Sequence, residues 1–256
     1  MLVFVGLFMG CFEMHIIPRG ESMRVNRVLF WVLTYVLVII LCLSGTVITD
    51  RTVTAIAQSS PLDHRKTVVI DAGHGGEDGG AVSCSGVYES RINLEIALKL
   101  RDLMHLLGVK TVMTRTSDAD LNRGGDTVSA RKMSDLRERV SLVNSTDNAI
   151  LLSIHQNKFP DDRYSGAQVF YADTFESKDL AELMQEGLIK NLDKTNKRHI
   201  KKANGIYLMD RINCTGILVE CGFLSSPEEE RLLKSDVYQK KLSCVMATVI
   251  SRYLNT

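Results

Sequence analysis

From Thr67 onward, short apolar runs alternate with longer stretches in which apolar residues recur every three or four positions. Thr67-Val68-Val69-Ile70, the run Ala149–Ile154 and Gly216-Ile217-Leu218-Val219 are rich in aliphatic and β-branched residues, short, and read as buried strands. Lys110–Thr114, Ala167–Ala172 and Gly205–Met209 are three weaker strand candidates. A helical stripe of Ile92, Ile96, Leu100, Leu103 and Leu107 predicts a helix over about Ser90–Leu107, with Gly108 placed to end it. Further helices are predicted over Ser134–Asn144, about Lys178–Leu192, a short stretch opened by Pro227, and Asp236–Tyr253. The polar stretch Asp118–Met133 carries Gly124-Gly125 and reads as a surface loop or insertion. Strands alternating with helices predict one α/β domain over residues 67–256, with no internal repeat and no second domain.

The region before this domain follows a different pattern. Residues 28–48 carry no charge and approach the ~20 apolar residues needed to cross a bilayer. Arg19, Arg24 and Arg27 precede this run and Asp50 follows it, so the positive-inside rule places residues 1–27 in the cytoplasm and the domain outside. The run is therefore expected to be a transmembrane signal anchor or a signal peptide, followed by a polar linker over 49–66. Ala55-Ile56-Ala57 offers a small-x-small cleavage pattern, but Asp50 and Arg51 separate it from the apolar run, which favours an uncleaved anchor. Met23-Arg24-Val25-Asn26-Arg27 reads like a natural n-region, which makes Met23 an alternative start of translation and residues 1–22 then a misassigned extension.

Composition narrows the function without naming it. A chain of 256 residues with net charge +1 suits one ordinary domain plus an appendage, and gives no support for nucleic-acid binding. Six cysteines are scattered without CxxC spacing. Exported proteins usually pair their cysteines, yet mostly free thiols, in an organism with little oxidising pressure, are the favoured reading.

The candidate chemistry sits where the strongest strands end. The first runs into Asp71-Ala72-Gly73-His74, the second into His155 and the third into Glu220. Ligands collect outside the carboxyl ends of parallel strands in open α/β sheets, so these residues are expected to converge. Glu89, just ahead of the most periodic helix, is a fourth candidate. Two His and one Glu, leaving a position for water, form a common catalytic zinc set, and the pattern reads as a zinc hydrolase.

Each residue also has a plainer reading. The glycines around His74 could cradle phosphate, although the known phosphate-loop spacings are missing. Glu89 could serve only the helix dipole, with Glu77 and Asp78 competing as ligands. His155 could be a core histidine, and Asn157 either bonds substrate or turns the chain. Glu220 is the hardest to explain away, because it interrupts an apolar run where a carboxylate is costly unless paired or metal-bound. Beside a metal such a group serves as general base. The basic run Lys197–Lys202, with Arg198, either flanks the cleft or is a solvated face. A set without Cys84 or Cys221 is already complete.

The strings Val69–Ala81 (VIDAGHGGEDGGA), Ser153-Ile154-His155-Gln156-Asn157 and Leu218–Ser225 (LVECGFLS) strongly resemble the motifs of zinc-dependent N-acetylmuramoyl-L-alanine amidases. Thr114–Asp118 and the helix around Arg139-Val140 fit as well, and the likeness covers about Thr67–Leu254 in the expected order. The resemblance implies a three-layer α/β domain with a mixed, largely parallel sheet and helices on both faces. It implies His74, Glu89 and His155 as ligands of Zn2+, Glu220 as catalytic carboxylate, and peptidoglycan as substrate. The implied reaction is hydrolysis of the amide between the muramic acid lactyl group and L-alanine. Ser165–Tyr171, Lys202–Met209 and the polar insertion resemble the sporulation branch of that family, whose members prepare muramic acid for conversion to muramic-δ-lactam in the spore cortex. That branch implies a position on the cortex side of the forespore membrane. Ala72 and Ser226 stand where the family often has Pro and Asn, and neither supplies a ligand. A vegetative autolysin, a peptidoglycan-binding protein with a degenerate site and a conventional zinc peptidase are the competing readings. A short domain without wall-binding repeats is also expected to borrow targeting or control from an accessory protein.

Overall fold

The computed structural model describes residues 30–37, 66–121 and 124–255. The chain falls into two units, Met1–Ser60 and Pro61–Thr256. In the first, residues 30–37 form a helix, α1, whose apolar side chains, Trp31 and Tyr35 among them, are exposed. The rest of the expected membrane run over 28–48 lies outside the described residues. Among the described residues no helix is long and apolar enough to cross a membrane.

The second unit is one α/β domain. Its strands are β1 (Thr67–Ala72), β2 (Thr111–Met113), β3 (Ala149–Asn157), β4 (Gln168–Tyr171), β5 (Lys201–Lys202) and β6 (Thr215–Phe223). Its helices are α2 (Glu89–Leu106), α3 (Val128–Ser145), α4 (Ser177–Asn191), α5 (Pro227–Leu233) and α6 (Asp236–Leu254). The six strands form one sheet in the order β2-β1-β3-β6-β4-β5. All neighbouring pairs are parallel except β4 with β6. The expected mixed, largely parallel sheet is therefore present.

Both faces of this sheet are covered, which explains why its central strands are continuous apolar runs rather than alternating ones. Val68, Ile70, Ile150, Leu152, Ile154, Ile217 and Val219 join the core built with α2, α4 and α6. The intervening Val69, Leu151 and Leu218 face the other way, against Val143 of α3 and the buried Leu208, Met209 and Ile212. The period of two along each strand thus feeds two cores. α2 ends where expected: Gly108 takes φ 73°, and its N–H donates to the His105 carbonyl at 3.0 Å.

Two local expectations are corrected. Gly205–Met209 is not a strand but a series of turns, closed by Asp210 N–H donating to the Ile206 carbonyl (2.9 Å) and Ile212 N–H to that of Leu208 (3.2 Å). A four-residue apolar run fits a turn burying Leu208 and Met209 as well as it fits a strand. β5 lies just before it instead. The polar stretch to Met133 is also not all loop, since α3 begins at Val128. Thr127 caps it by accepting from Ala130 N–H at 3.1 Å. The first turns of α3 are largely exposed and carry no apolar stripe, so periodicity gave no signal there.

The packing of α3 against the sheet turns on one buried ion pair. Arg139 donates to Asp71 Oδ1 at 2.6 Å and to Asp135 at 2.8 Å, with Arg139 and Asp71 each 2% exposed at the side chain. Ser153 and Thr114 donate to the same Asp71 carboxylate at 2.6 and 2.9 Å. Burial works to raise the Asp71 pKa, but the charges of Arg139 and His155 and the hydrogen bonds from Ser153 and Arg139 outweigh it and hold the group below the usual carboxylate range. Removing one partner of such a pair strands the other charge in the interior. Arg139→Ala is expected to cost about 3–5 kcal/mol in urea unfolding. The combined change Arg139→Met with Asp71→Asn is expected to cost less than the single alanine, because the Asp71 charge leaves with its partner and only Asp135 loses its cation. An equal or larger loss for the double variant would contradict this account.

Candidate metal centre

The carboxyl ends of β1, β3 and β6 lie side by side, and the loops and side chains beyond them build the site. Glu220 stands opposite His155 in the parallel register of β3 and β6. Glu89 opens α2, and His74 sits in the glycine loop that follows β1. His74 itself has φ 61°, a left-handed conformation unusual for a non-glycine residue, which re-aims its ring toward Glu89. Gly73 is required by close approach, since a Cβ there would overlap the His155 ring.

His74, Glu89 and His155 each present a ligand atom within 4.8 Å of the others. Glu89 bridges the two rings, with Oε2 3.3 Å from His74 Nε2 and Oε1 3.0 Å from His155 Nδ1. Ligands about 2.0–2.2 Å from a tetrahedral ion lie roughly 3.4 Å from one another, so this donor set fits zinc in both chemistry and spacing. Three protein donors also leave a position open, as catalytic sites require.

The two carboxylates live in opposite environments. Glu89 is buried and fully served: Ala81 N–H donates to Oε2 at 3.0 Å, while Asn93 Nδ2 and Gln156 N–H donate to Oε1, each at 3.1 Å. Burial alone would raise its pKa, but the hydrogen bonds from His155 and His74 prevail and keep it well below the usual range. Glu220 has no such donors, and its Oε2 is buried without a hydrogen-bond partner. Burial pushes its pKa up to about 7, against the opposing pull of the His155 charge. One carboxylate is thus held as an anion, while the other is poised to gain and lose a proton near neutrality.

The remaining candidates separate cleanly. Asn157 lies beyond the irregularity in the β3–β6 register and faces Phe223, with its carbonyl accepting from Leu224 N–H at 2.7 Å. Arg198 lies over the Phe223 ring at 4.4 Å and donates to the Ser165 carbonyl (2.7 Å) and to Gln168 Oε1 (3.3 Å). Gln168 is the register partner of Glu220 on β4, so Arg198 stands near the Glu220 side of the cleft. Asp78 accepts from His74 Nδ1, and Glu77 pairs with Arg131. Cys84 donates to the Leu224 and Ser225 carbonyls, and Cys221 is buried in the core. Neither cysteine joins the donor set, and the four cysteines described are free.

Residue-by-residue reading of the sequence missed the supports. Arg139 donates to the carbonyls of Ala72 (3.0 Å) and His74 (2.8 Å), and Arg115 to those of Ala72 (2.9 Å) and Gly73 (3.1 Å). Asn93, one turn after Glu89, also donates to the Gly73 carbonyl at 3.1 Å. Two signals were available: Asp71 is a charge inside an apolar run, and Asn93 shares a helix face with Glu89.

The metal-free site holds protons that a metal must displace. Burial works to lower the His74 pKa, but its hydrogen bonds to Asp78 and Glu89 raise it to about 9, so the imidazole is protonated at neutral pH. The stability this charge contributes is fully present below the unfolded value of 6.5 and is lost as pH rises through about 9. Zinc affinity runs the opposite way, since binding needs the neutral ring. Between about pH 7 and about pH 9 the apparent affinity is expected to rise roughly tenfold per unit for this one proton. Chelator-competition titrations across that range measure it, and a flat profile would contradict the assignment of His74.

Comparison with known proteins agrees with this geometry. The family model for N-acetylmuramoyl-L-alanine amidase, Amidase_3, matches residues 68–252. The germination-specific N-acetylmuramoyl-L-alanine amidase of Bacillus subtilis (strain 168) is 40% identical over 190 residues, 73% of this chain and 79% of that protein. The CwlD amidase of Clostridioides difficile, solved in complex with the GerS lipoprotein, superposes with a TM-score of 0.72 at 38% identity, covering 74% of this chain and 98% of that one. An N-acetylmuramoyl-L-alanine amidase from Clostridium difficile 630 gives a TM-score of 0.66 at 31% identity, covering 76% and 99%. With a family match over residues 68–252, most of the chain, and a His-Glu-His group built at the carboxyl edge of its sheet, the chain belongs to the N-acetylmuramoyl-L-alanine amidase family.

Proposed function

We propose that this peptidoglycan amidase hydrolyses the amide between the lactyl group of N-acetylmuramic acid and L-alanine with zinc held by His74, Glu89 and His155. The observation that carries the reading is the orphaned, buried Oε2 of Glu220 beside a convergent His-Glu-His set. Zinc bound there would polarise the lactyl carbonyl and acidify a water molecule. Glu220 removes the proton from the attacking water and carries it to the alanine nitrogen as the amide C–N bond breaks. Its pKa near neutrality suits both halves of that transfer. The strand ends that hold His155 and Glu220 fix the base against the metal ligands, so the geometry precedes substrate binding. Asn157 and Arg198 serve as substrate-binding groups at the cleft: Arg198 offers a guanidinium, held over Phe223, for a carboxylate or carbonyl of the stem peptide.

The biological setting proposed is removal of stem peptides during spore cortex maturation, ahead of muramic-δ-lactam formation. The similarity to the germination-specific amidase supports it. The uncharged run over 28–48, preceded by three arginines, supports export with a membrane anchor on the cortex side of the forespore membrane. That the similar amidase from Clostridioides difficile was solved with a lipoprotein supports an accessory partner of that kind here.

Mass spectrometry of cortex-type peptidoglycan incubated with the protein and zinc tests the chemistry. Intact stem peptides with a free L-alanine amine are the expected product. Glu220→Gln is expected to lower their release about 10²–10⁴-fold while zinc uptake persists. Cleavage at peptide bonds instead, or full activity in the variant, would sink the proposal.

A further inference from the structure

Asp78 stands against the donor set without belonging to it. Its Oδ2 accepts from His74 Nδ1 at 2.8 Å and lies 2.9 Å from Lys132 Nζ of α3. Its Oδ1 accepts from Gly80 N–H at 3.3 Å, and its backbone exchanges two hydrogen bonds with Gly75, at 2.8 and 3.1 Å. The carboxylate is therefore fixed from its own loop and from a helix outside it. Because a carboxylate only accepts, the His74 nitrogen facing it carries the proton, and Nε2 is the one turned toward Glu89.

The adjacent residue supplies a contrast. Arg131 and Lys132, consecutive on α3, pair with Glu77 and Asp78, consecutive in the loop. Arg131 holds Glu77 through two contacts, at 2.7 and 3.2 Å, yet Glu77 does not touch His74. The two pairs tie the same loop to the same helix, and only one continues to an imidazole.

We propose that Asp78, restrained by Lys132, is a positioning residue that fixes the tautomer and ring orientation of His74. It thereby makes zinc affinity depend on how the first turns of α3 are seated. This rests on the reading of His74 as a metal ligand. A carboxylate behind a ligating imidazole raises its basicity and holds its ring, and losing one typically costs about 10–100-fold in metal affinity.

Zinc affinity of the metal-stripped full chain, measured by competition with a chromophoric chelator, tests this. Thermal melts of the metal-free variants and absorption of the cobalt-loaded ones accompany it. Asp78→Ala is expected to weaken zinc binding about 10–100-fold and to alter the cobalt bands. Asp78→Asn, which keeps a neutral acceptor, recovers part of the affinity. Lys132→Met weakens binding less than Asp78→Ala does, and Glu77→Gln leaves it unchanged. Equal weakening in Asp78→Ala and Glu77→Gln, with both melts lowered, would reduce Asp78 to a loop clamp and overturn the proposal. Wild-type affinity in Asp78→Ala alongside lost affinity in His74→Ala overturns the positioning role alone. Wild type taking up no zinc overturns the ligand reading along with it.

Discussion

A single guanidinium, that of Arg139, connects the sheet, the covering helix and the loop that carries His74. Asp71 is the penultimate residue of a fully buried strand, directly after Val68-Val69-Ile70, and an isolated carboxylate there would cost several kcal/mol in desolvation. Arg139 meets that charge and, with the same planar fork, donates to the carbonyls of Ala72 and His74. Seating α3 on the sheet and fixing the backbone that carries His74 are thus one event. The loop can hold His74 at a left-handed φ because its carbonyls are tied from Arg139 and its chain path is confined by Gly73 against His155.

The same economy governs the carboxylates. Glu89 and Glu220 lie within one small region, and the protein separates their properties by supplying donors to one and withholding them from the other. Against the effect of burial, the imidazoles of His155 and His74 commit Glu89 to its charged form, and the N–H groups of Ala81 and Gln156 with the Asn93 amide hold its oxygens in place. Asn93 is steadied in turn by Gln156, whose side-chain amide donates to Asn93 Oδ1 at 3.2 Å. Glu220, between Val219 and Cys221 on β6, keeps a buried oxygen without a partner, a condition that suits the proton transfer proposed for it. A polar atom left unsatisfied costs stability, and here that cost sits where the chemistry is proposed.

Much of this was legible in the chain. β1, β3 and β6 read as strands because both faces of their central segments are buried, which leaves Val68–Ile70, Ile150–Leu152 and Ile217–Val219 as unbroken apolar runs. α2 and α4 read as helices because each packs an apolar stripe on the sheet, and α6 because its stripe packs on α2 and α4. The early turns of α3 were hidden because they are mostly solvated, leaving no stripe to detect. Gly205–Met209 misled because a short apolar run records burial, not conformation. Among site residues, His74, His155 and Glu220 stood out as polar groups closing apolar runs. Asp78 and Glu77 could not be told apart as ligands, since only the fold sends one to His74 and the other to Arg131.

The sequence by itself determined the elements and the chemistry: alternating strands and helices, two imidazoles and two carboxylates at or near element ends, and motifs specific enough to imply an amidase. Local pattern suffices for these because burial and periodicity are properties of neighbouring residues. Only the tertiary structure decided which carboxylate is anionic and which is protonatable, which acid backs His74, and that Arg139 unites Asp71 with the His74 loop. Arg139 reaches Asp71 and His74, and Gln156 reaches Glu89, across 65 to 68 positions. Asp78, only four residues from His74, is told from Glu77 by side-chain direction, and no local pattern encodes either the distance or the direction.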